Sequence, residues 1–233
     1  MENRIRRITV FAEHQTPTTE VRGRLMGPCC PYASTVEVAY PLHPLSGALG
    51  ALTQPRSPAL GALTQPRSPE PAGLTRRVIV PEASFWEPQC PFLYQGPIEL
   101  WQDGQRRDRV IVKHGMRSFQ LTERGLHVNG RPLTPHGRRI AACSEEKATG
   151  LRQTGYNLFI APVTASSLAV WEQADRFGFL VLGQLGEDAD ETRLVETLCP
   201  HASCLGWLRA ECRALSAEEA VGWYMVHGNP EPM

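Results

Sequence analysis

The chain has 233 residues, enough for one large domain or two modest ones. It carries 24 Lys plus Arg against 24 Asp plus Glu, a formal net charge of zero, without the basic excess of a dedicated nucleic-acid binder. No run of about 18 apolar residues is present to cross a bilayer, so neither nucleic acid nor membrane is an expected partner. The seven cysteines (Cys29, Cys30, Cys90, Cys143, Cys199, Cys204 and Cys212) are odd in number and irregularly spaced, unlike a secreted disulfide framework. The N-terminal stretch MENRIRRITVFAEH is charged and lacks an apolar core of signal-peptide length. These features lead to the expectation of a cytoplasmic protein. Twenty Gly and twenty Pro favour turns and β-structure over a helical bundle.

In chain order, Val36, Val38 and Tyr40 alternate with polar or small neighbours, the pattern of a half-buried strand. The segment 48–58, ALGALTQPRSP, is repeated in full at 59–69. Two Pro-containing copies with little apolar surface cannot stack as a solenoid, so residues 44–73 are expected to form a flexible insertion. Arg76–Val80 is a further short strand. Phe92–Trp101 and Arg109–Lys113 flank Asp103-Gly104, a hairpin signal. Leu126–Leu133 reads as a second hairpin, turning at Asn129-Gly130.

From about residue 137 the pattern changes to alternating strands and helices. Ser144 precedes Glu145 and Glu146 as an N-cap, and Gly155 stands where a C-terminal glycine belongs. Tyr156–Ile160 reads as a strand and Ser167–Phe177 as a helix closed by Gly178. The apolar run Phe179–Leu182 suits a strand buried on both faces. A helix is expected over 189–198 and a strand over Cys204–Leu208. Ser216 and Glu219 form a capping-box pattern that opens a last helix. Repeated βα units imply parallel strands.

Several of these segments resemble glycoside hydrolase family 2, the β-galactosidases, β-glucuronidases and β-mannosidases. Trp86, Pro88, Pro91, Leu93 and Tyr94 resemble a W-x-P-x-x-P-x-L-Y stretch of the family's immunoglobulin-like domain. Gly115-Met116-Arg117 matches the G-[FM]-R that leads toward the family's barrel. Leu126–Leu133 is similar to its F-x-L-N-G-K-P-V/L hairpin. Gly155-Tyr156-Asn157 resembles the G-x-N of its second barrel strand, and Ala174–Val181 its C-D-E-x-G-[IL]-x-V segment. The pieces occur in family order across residues 76–211. The resemblance implies an immunoglobulin-like β-sandwich at 1–120 and a partial (β/α) TIM-type barrel of about four βα units at 121–233.

Retaining glycosidases use two carboxyl groups about 5 to 5.5 Å apart, carried at the C-terminal ends of barrel strands. The family's acid/base closes the pattern H-P-S-V-x-x-W-S-x-G-N-E. Here His201, Ser203, Trp207 and Glu211 echo it in a segment one residue short, with Ala210 where the pattern has Asn. The resemblance thus implies Glu211 as candidate acid/base and Asn157, His201 and Trp207 as candidate substrate contacts. The family's Arg and His that follow the G-x-N are absent, their stretch holding Phe159 and Pro162. The nucleophile would lie on a seventh strand, and the stretch from 137 to Met233 is well short of the about 250 residues of a closed barrel.

Other constellations are weaker. Cys199, His201, Cys204 and Cys212 lack a standard zinc spacing, and no G-x-S-x-G elbow occurs, so neither metal nor cofactor is expected. Cys29-Cys30 reads as a pair of loop thiols, and Trp86 and Trp101 as packing residues before sugar platforms. The expectation is a family 2-like protein of carbohydrate metabolism that does not catalyse hydrolysis by itself. Two alternatives stay open: a β-glycosidase completed by a complementing barrel chain or by a homo-oligomer, and a protein-interaction module. The candidate ligand is a carbohydrate.

Overall fold

A computed structural model describes residues 5–10, 18–44, 74–186, 195 and 197–228. The described chain is mostly β-strand, with a few α-helices and one parallel sheet. It divides into two compact units: residues 1–26, 38–83 and 95–112, and residues 27–37, 84–94 and 113–233. The tandem repeat at 48–58 and 59–69 lies outside the described residues, as do most of the insertion expected over 44–73 and most of the helix expected over 189–198.

Two sheets account for the N-terminal strands. One is antiparallel, with β1 (Ile5–Val10), β5 (Leu74–Ile79) and β4 (His43–Pro44) in the order β1-β5-β4. The other has the order β3-β2-β6-β7, built from β2 (Glu20–Cys29), β3 (Val38–Pro41), β6 (Leu93–Gln102) and β7 (Gln105–His114). The β6–β7 connection is the expected two-residue turn. Asp103 and Gly104 both take positive φ, 52° and 73°, the geometry that matches the twist of paired strands.

In the second unit, β8 (Phe119–Thr122), β9 (Gly125–Val128) and β10 (Arg131–Leu133) form a small antiparallel sheet. Asn129 and Gly130 turn β9 into β10 with φ of 52° and 81°. The parallel sheet follows. It has the order β11-β12-β13-β14, from β11 (Gly137–Arg139), β12 (Leu158–Pro162), β13 (Leu180–Gln184) and β14 (Cys204–Leu208). Helix α1 (Glu145–Gln153) precedes β12, α2 (Leu168–Phe177) precedes β13, and α3 (Ala217–His227) follows β14.

The helix boundaries follow local chemistry. Ser144 accepts the Lys147 backbone N–H, and Glu145 and Glu146 sit in the first turn of α1, where backbone N–H groups are unpaired and the dipole favours negative charge. Ser216 and Glu219 cap α3 reciprocally, Ser216 N donating to Glu219 Oε2 at 2.8 Å and Glu219 N to Ser216 Oγ at 3.2 Å. Gly178 ends α2 in the left-handed conformation, φ 75°. A Cβ there would also lie 2.2 Å from the Pro88 carbonyl oxygen, so both backbone and space demand glycine.

Residues of β12 and β13 alternate between the two faces of the parallel sheet, β14 pairs with β13 across a register irregularity at Val181 and Leu182, and both faces are covered. On one face Phe159, Ala161, Phe179 and Val181 pack with Ala148 and Leu151 of α1 and Val170, Trp171, Ala174 and Phe177 of α2. On the other, Leu158, Ile160, Leu180, Leu182, Leu205 and Leu208 pack with Ala220, Val221 and Tyr224 of α3, and with Trp86 and Leu126. Tyr224 reaches across this second layer to donate its hydroxyl hydrogen to the Leu205 carbonyl at 3.0 Å. A closed (β/α)8 barrel carries its helices on the outer face only and fills its interior with strand side chains. Here α3 and the β8–β10 sheet occupy the face opposite α1 and α2.

Candidate functional site

The two ends of the parallel strands differ chemically. At the N-terminal ends lies a buried polar network. Asp175, near the C-terminus of α2, accepts from the Ser203 backbone N–H at 2.7 Å through Oδ1, and its Oδ2 lies 2.6 Å from His201 Nδ1. The Asp175 and His201 side chains are 9% and 18% exposed. The Asp175 carbonyl accepts from Trp86 Nε1 at 2.8 Å. Arg117 donates to the His201 carbonyl at 2.8 Å, and burial pulls its guanidinium below the usual value against the pull of Cys204 and Asp175. The Cys204 thiol is pushed up to about 12, chiefly by burial, which leaves it protonated and a poor nucleophile.

At the C-terminal ends, where barrels and open α/β sheets bind their ligands, the polar side chains hold the chain's own backbone. Arg139 closes β11 and donates to the Leu215 carbonyl through Nε at 3.1 Å and to the Cys212 carbonyl at 2.6 Å. It also donates to Gln184 Oε1 at 3.3 Å. Gln184 ends β13, is 5% exposed, and donates through Nε2 to the Arg209 carbonyl at 2.6 Å. The pair therefore pins the 3-10 turn Ala210–Ala214 over the strand ends.

The sequence-derived candidates separate between these ends. Glu211 stands in that 3-10 turn, just beyond β14, with a side chain 69% exposed and 3.8 Å from Arg209. Asn157 precedes β12, and both ends of its amide are used: Oδ1 accepts the His136 N–H at 2.7 Å and Nδ2 donates to the Thr134 carbonyl at 2.9 Å. His201 belongs to the Asp175 network, three residues before β14. Trp207 lies on β14 against the α1–α2 layer, its ring 5.6 Å from that of Trp171. Its six-membered ring lies over Gly183, where a Cβ would come within 2.4 Å. The structure does not gather Glu211, Asn157, His201 and Trp207 into one cleft.

Sequence reasoning missed Arg139 and Gln184. Their signal was position, the last residues of two parallel strands, but a three-residue strand without apolar residues (β11) hides that position. Among the described residues no group of three or more His, Cys, Asp or Glu is arranged to hold a metal, and no helix is long and apolar enough to cross a membrane.

No protein-family model matches the chain, and no curated protein matches it. Solved structures do. An FMN-binding β-glucuronidase from Facaelibacterium prausnitzii L2-6 aligns over 82% of this chain and 29% of its own, with TM-score 0.54 at 18% identity. A β-glycosidase from Bacteroides vulgatus aligns over 95% of this chain and 31% of its own, with TM-score 0.54 at 14% identity. β-Glucuronidase 3 of Bacteroides uniformis aligns over 95% and 30%, with TM-score 0.52 at 17% identity. The likeness to glycoside hydrolase family 2 in the motifs thus has a counterpart in the fold. At these identities the similarity is one of fold, and the chain spans under a third of the length of these glycosidases.

Proposed function

We propose that this chain is a glycoside hydrolase family 2-like protein of carbohydrate metabolism that does not hydrolyse glycosides by itself, and that it derives from an immunoglobulin-like β-sandwich followed by a partial (β/α) barrel. One observation carries the reading. At the C-terminal strand ends, Arg139 and Gln184 are committed to the backbone of the 209–215 segment, and Glu211 faces solvent beside Arg209. Retaining hydrolysis needs a buried acid set across a sugar from a second carboxylate. An exposed carboxylate beside a guanidinium does not supply that environment. The sheet face that a barrel turns inward is here packed against α3, which also favours a self-contained α/β layer.

The test is hydrolysis of 4-nitrophenyl β-glucuronide, β-galactoside and β-mannoside by the purified chain. The expected rate equals the buffer background, unchanged in Glu211→Gln. A second reading has one observation in its favour: Glu211 lies three residues beyond the C-terminal end of β14, near where a family acid/base belongs. On that reading a complementing chain or a second copy provides the nucleophile. A rate above background that disappears in Glu211→Gln would establish it in place of the first.

A further inference from the structure

We propose a second, independent site: the groove between the Trp86–Pro91 turn and the β9–β10 hairpin binds a single neutral sugar ring. The groove is a cavity of about 260 Å³ lined by Glu87, Gln89, Val128, Arg131, Pro132 and Leu133. It lies within the second unit and is distinct from the strand-end residues, so it does not rest on the reading given above.

Both walls are held before any ligand arrives. Asn129 bridges them: its Nδ2 donates to the Trp86 carbonyl at 2.9 Å, and its Oδ1 accepts the Ser118 N–H at 2.9 Å. Trp86 is fully buried and bridges to Pro91 across the turn. From the other side Arg152 donates to the carbonyls of Pro88 and Gln89, the latter at 2.8 Å. A groove ordered in this way costs little conformational entropy to fill.

The lining then selects the ligand. Glu87 offers only acceptors, Arg131 only donors, and the Gln89 amide both. Glu87 Oε1 and Arg131 Nη1 are 3.5 Å apart, beyond the usual 2.7–3.2 Å of an N–H···O bond, so lone pairs and N–H groups remain for a guest. The Glu87 side chain is 21% exposed and that of Arg131 79%, a held acceptor beside an adjustable donor. Their charges cancel, so an anion or a cation attracted by one is repelled by the other. Hydroxyl groups suit both, donating to Glu87 and accepting from Arg131. Val128, Pro132 and Leu133 supply an aliphatic floor that matches the C–H face of a pyranose. The volume falls below the about 300–1,000 Å³ of drug-sized pockets, which favours one ring over an oligosaccharide.

The experiment is an amide-resolved NMR titration of the full chain with methyl β-D-glucopyranoside and methyl β-D-galactopyranoside, with D-glucuronate and L-arginine as charged probes. Saturable shifts at residues 87–89 and 128–133 are expected for a neutral glycoside, with affinity lowered at least about tenfold in Glu87→Ala and in Arg131→Ala, the size of one lost charge-assisted hydrogen bond. An unchanged Trp86 indole resonance in each variant certifies that the walls are intact. The proposal is overturned by the absence of saturable shifts with either glycoside. Tighter binding of glucuronate or arginine, or shifts confined to residues around Glu211, would overturn it equally. The hydrolysis assay reads the other proposal, so the two can fail separately.

Discussion

The two ends of one parallel sheet use polar side chains in opposite ways. At the N-terminal ends, the residues that carry the family likeness act as architecture. Asp175 gathers His201, the Ser203 N–H and, through its carbonyl, the Trp86 indole, while Asn157 closes the turn before β11. At the C-terminal ends, Arg139 and Gln184 hold backbone carbonyls of the 209–215 segment. The contrast teaches that residues of one sequence signature can sit in very different surroundings, so the signature by itself does not say which of them pack and which meet solvent. Burial marks the difference, since Asp175 is enclosed and Glu211 is exposed.

The largest effect should come from the layer beneath the N-terminal ends. Trp86→Ala removes a fully buried indole and its bond to the Asp175 carbonyl, at an expected cost of about 3–5 kcal/mol in urea unfolding. A loss under about 1 kcal/mol would mean that the Trp86 turn is not tied to the sheet. Asp175→Ala should follow, at about 1–3 kcal/mol, because it strands the buried Ser203 N–H and frees the His201 ring. If Asp175→Ala left stability unchanged but abolished sugar binding, the network would be a ligand site and the contrast between the ends would fail.

Much of the described fold is legible in the sequence because its signals are local. Ser216 with Glu219, Ser144 with Glu145 and Glu146, Asn129-Gly130 and Asp103-Gly104 each satisfy nearby backbone groups or require positive φ, and each lies where the residues indicate. The strand at 204–208 coincides with its expected span, and the apolar run from 179 begins one residue ahead of β13. Strand β11 was not legible, because Gly137-Arg138-Arg139 carries no apolar pattern and is a strand only through its pairing with β12. The face taken by α3 was also hidden, since its capping box fixes where a helix starts and says nothing of which side of a sheet it covers. For the site, motif order singled out His201 and Trp207 as candidates, but their surroundings depend on tertiary facts: His201 precedes its strand, and Trp207 needs the space left by Gly183.

Alkaline pH probes the face covered by α3. Burial pushes the Tyr224 hydroxyl from its usual 10.0 to about 12, and the Cys204 thiol on the opposite face from 9.0 to about 12. Both groups hold their proton more tightly when folded. The stability that this contributes is whole below the unfolded values and is lost as pH rises from about 9 through about 12. Unfolding free energy should therefore decline over that window, and less steeply in Tyr224→Phe, which keeps the ring and removes the titration. Equal slopes for the two proteins would place the Tyr224 hydroxyl in water and open the layer.

The smallest effects belong to the C-terminal ends and separate holding from chemistry there. Arg139→Ala frees the Cys212 and Leu215 carbonyls and should accelerate amide exchange over residues 209–216 while leaving β12 and β13 protected, since the opening is local. Glu211→Gln should change neither exchange nor global stability by more than about 0.5 kcal/mol, because an exposed ion pair at 3.8 Å contributes little in water. If Glu211→Gln instead slowed exchange across 209–216 or raised stability by more than 1 kcal/mol, Glu211 would be an unfavourably placed carboxylate retained against its cost. Strain kept at a strand end is what a reactive acid would show, and the C-terminal ends would then carry chemistry where the N-terminal ends carry architecture.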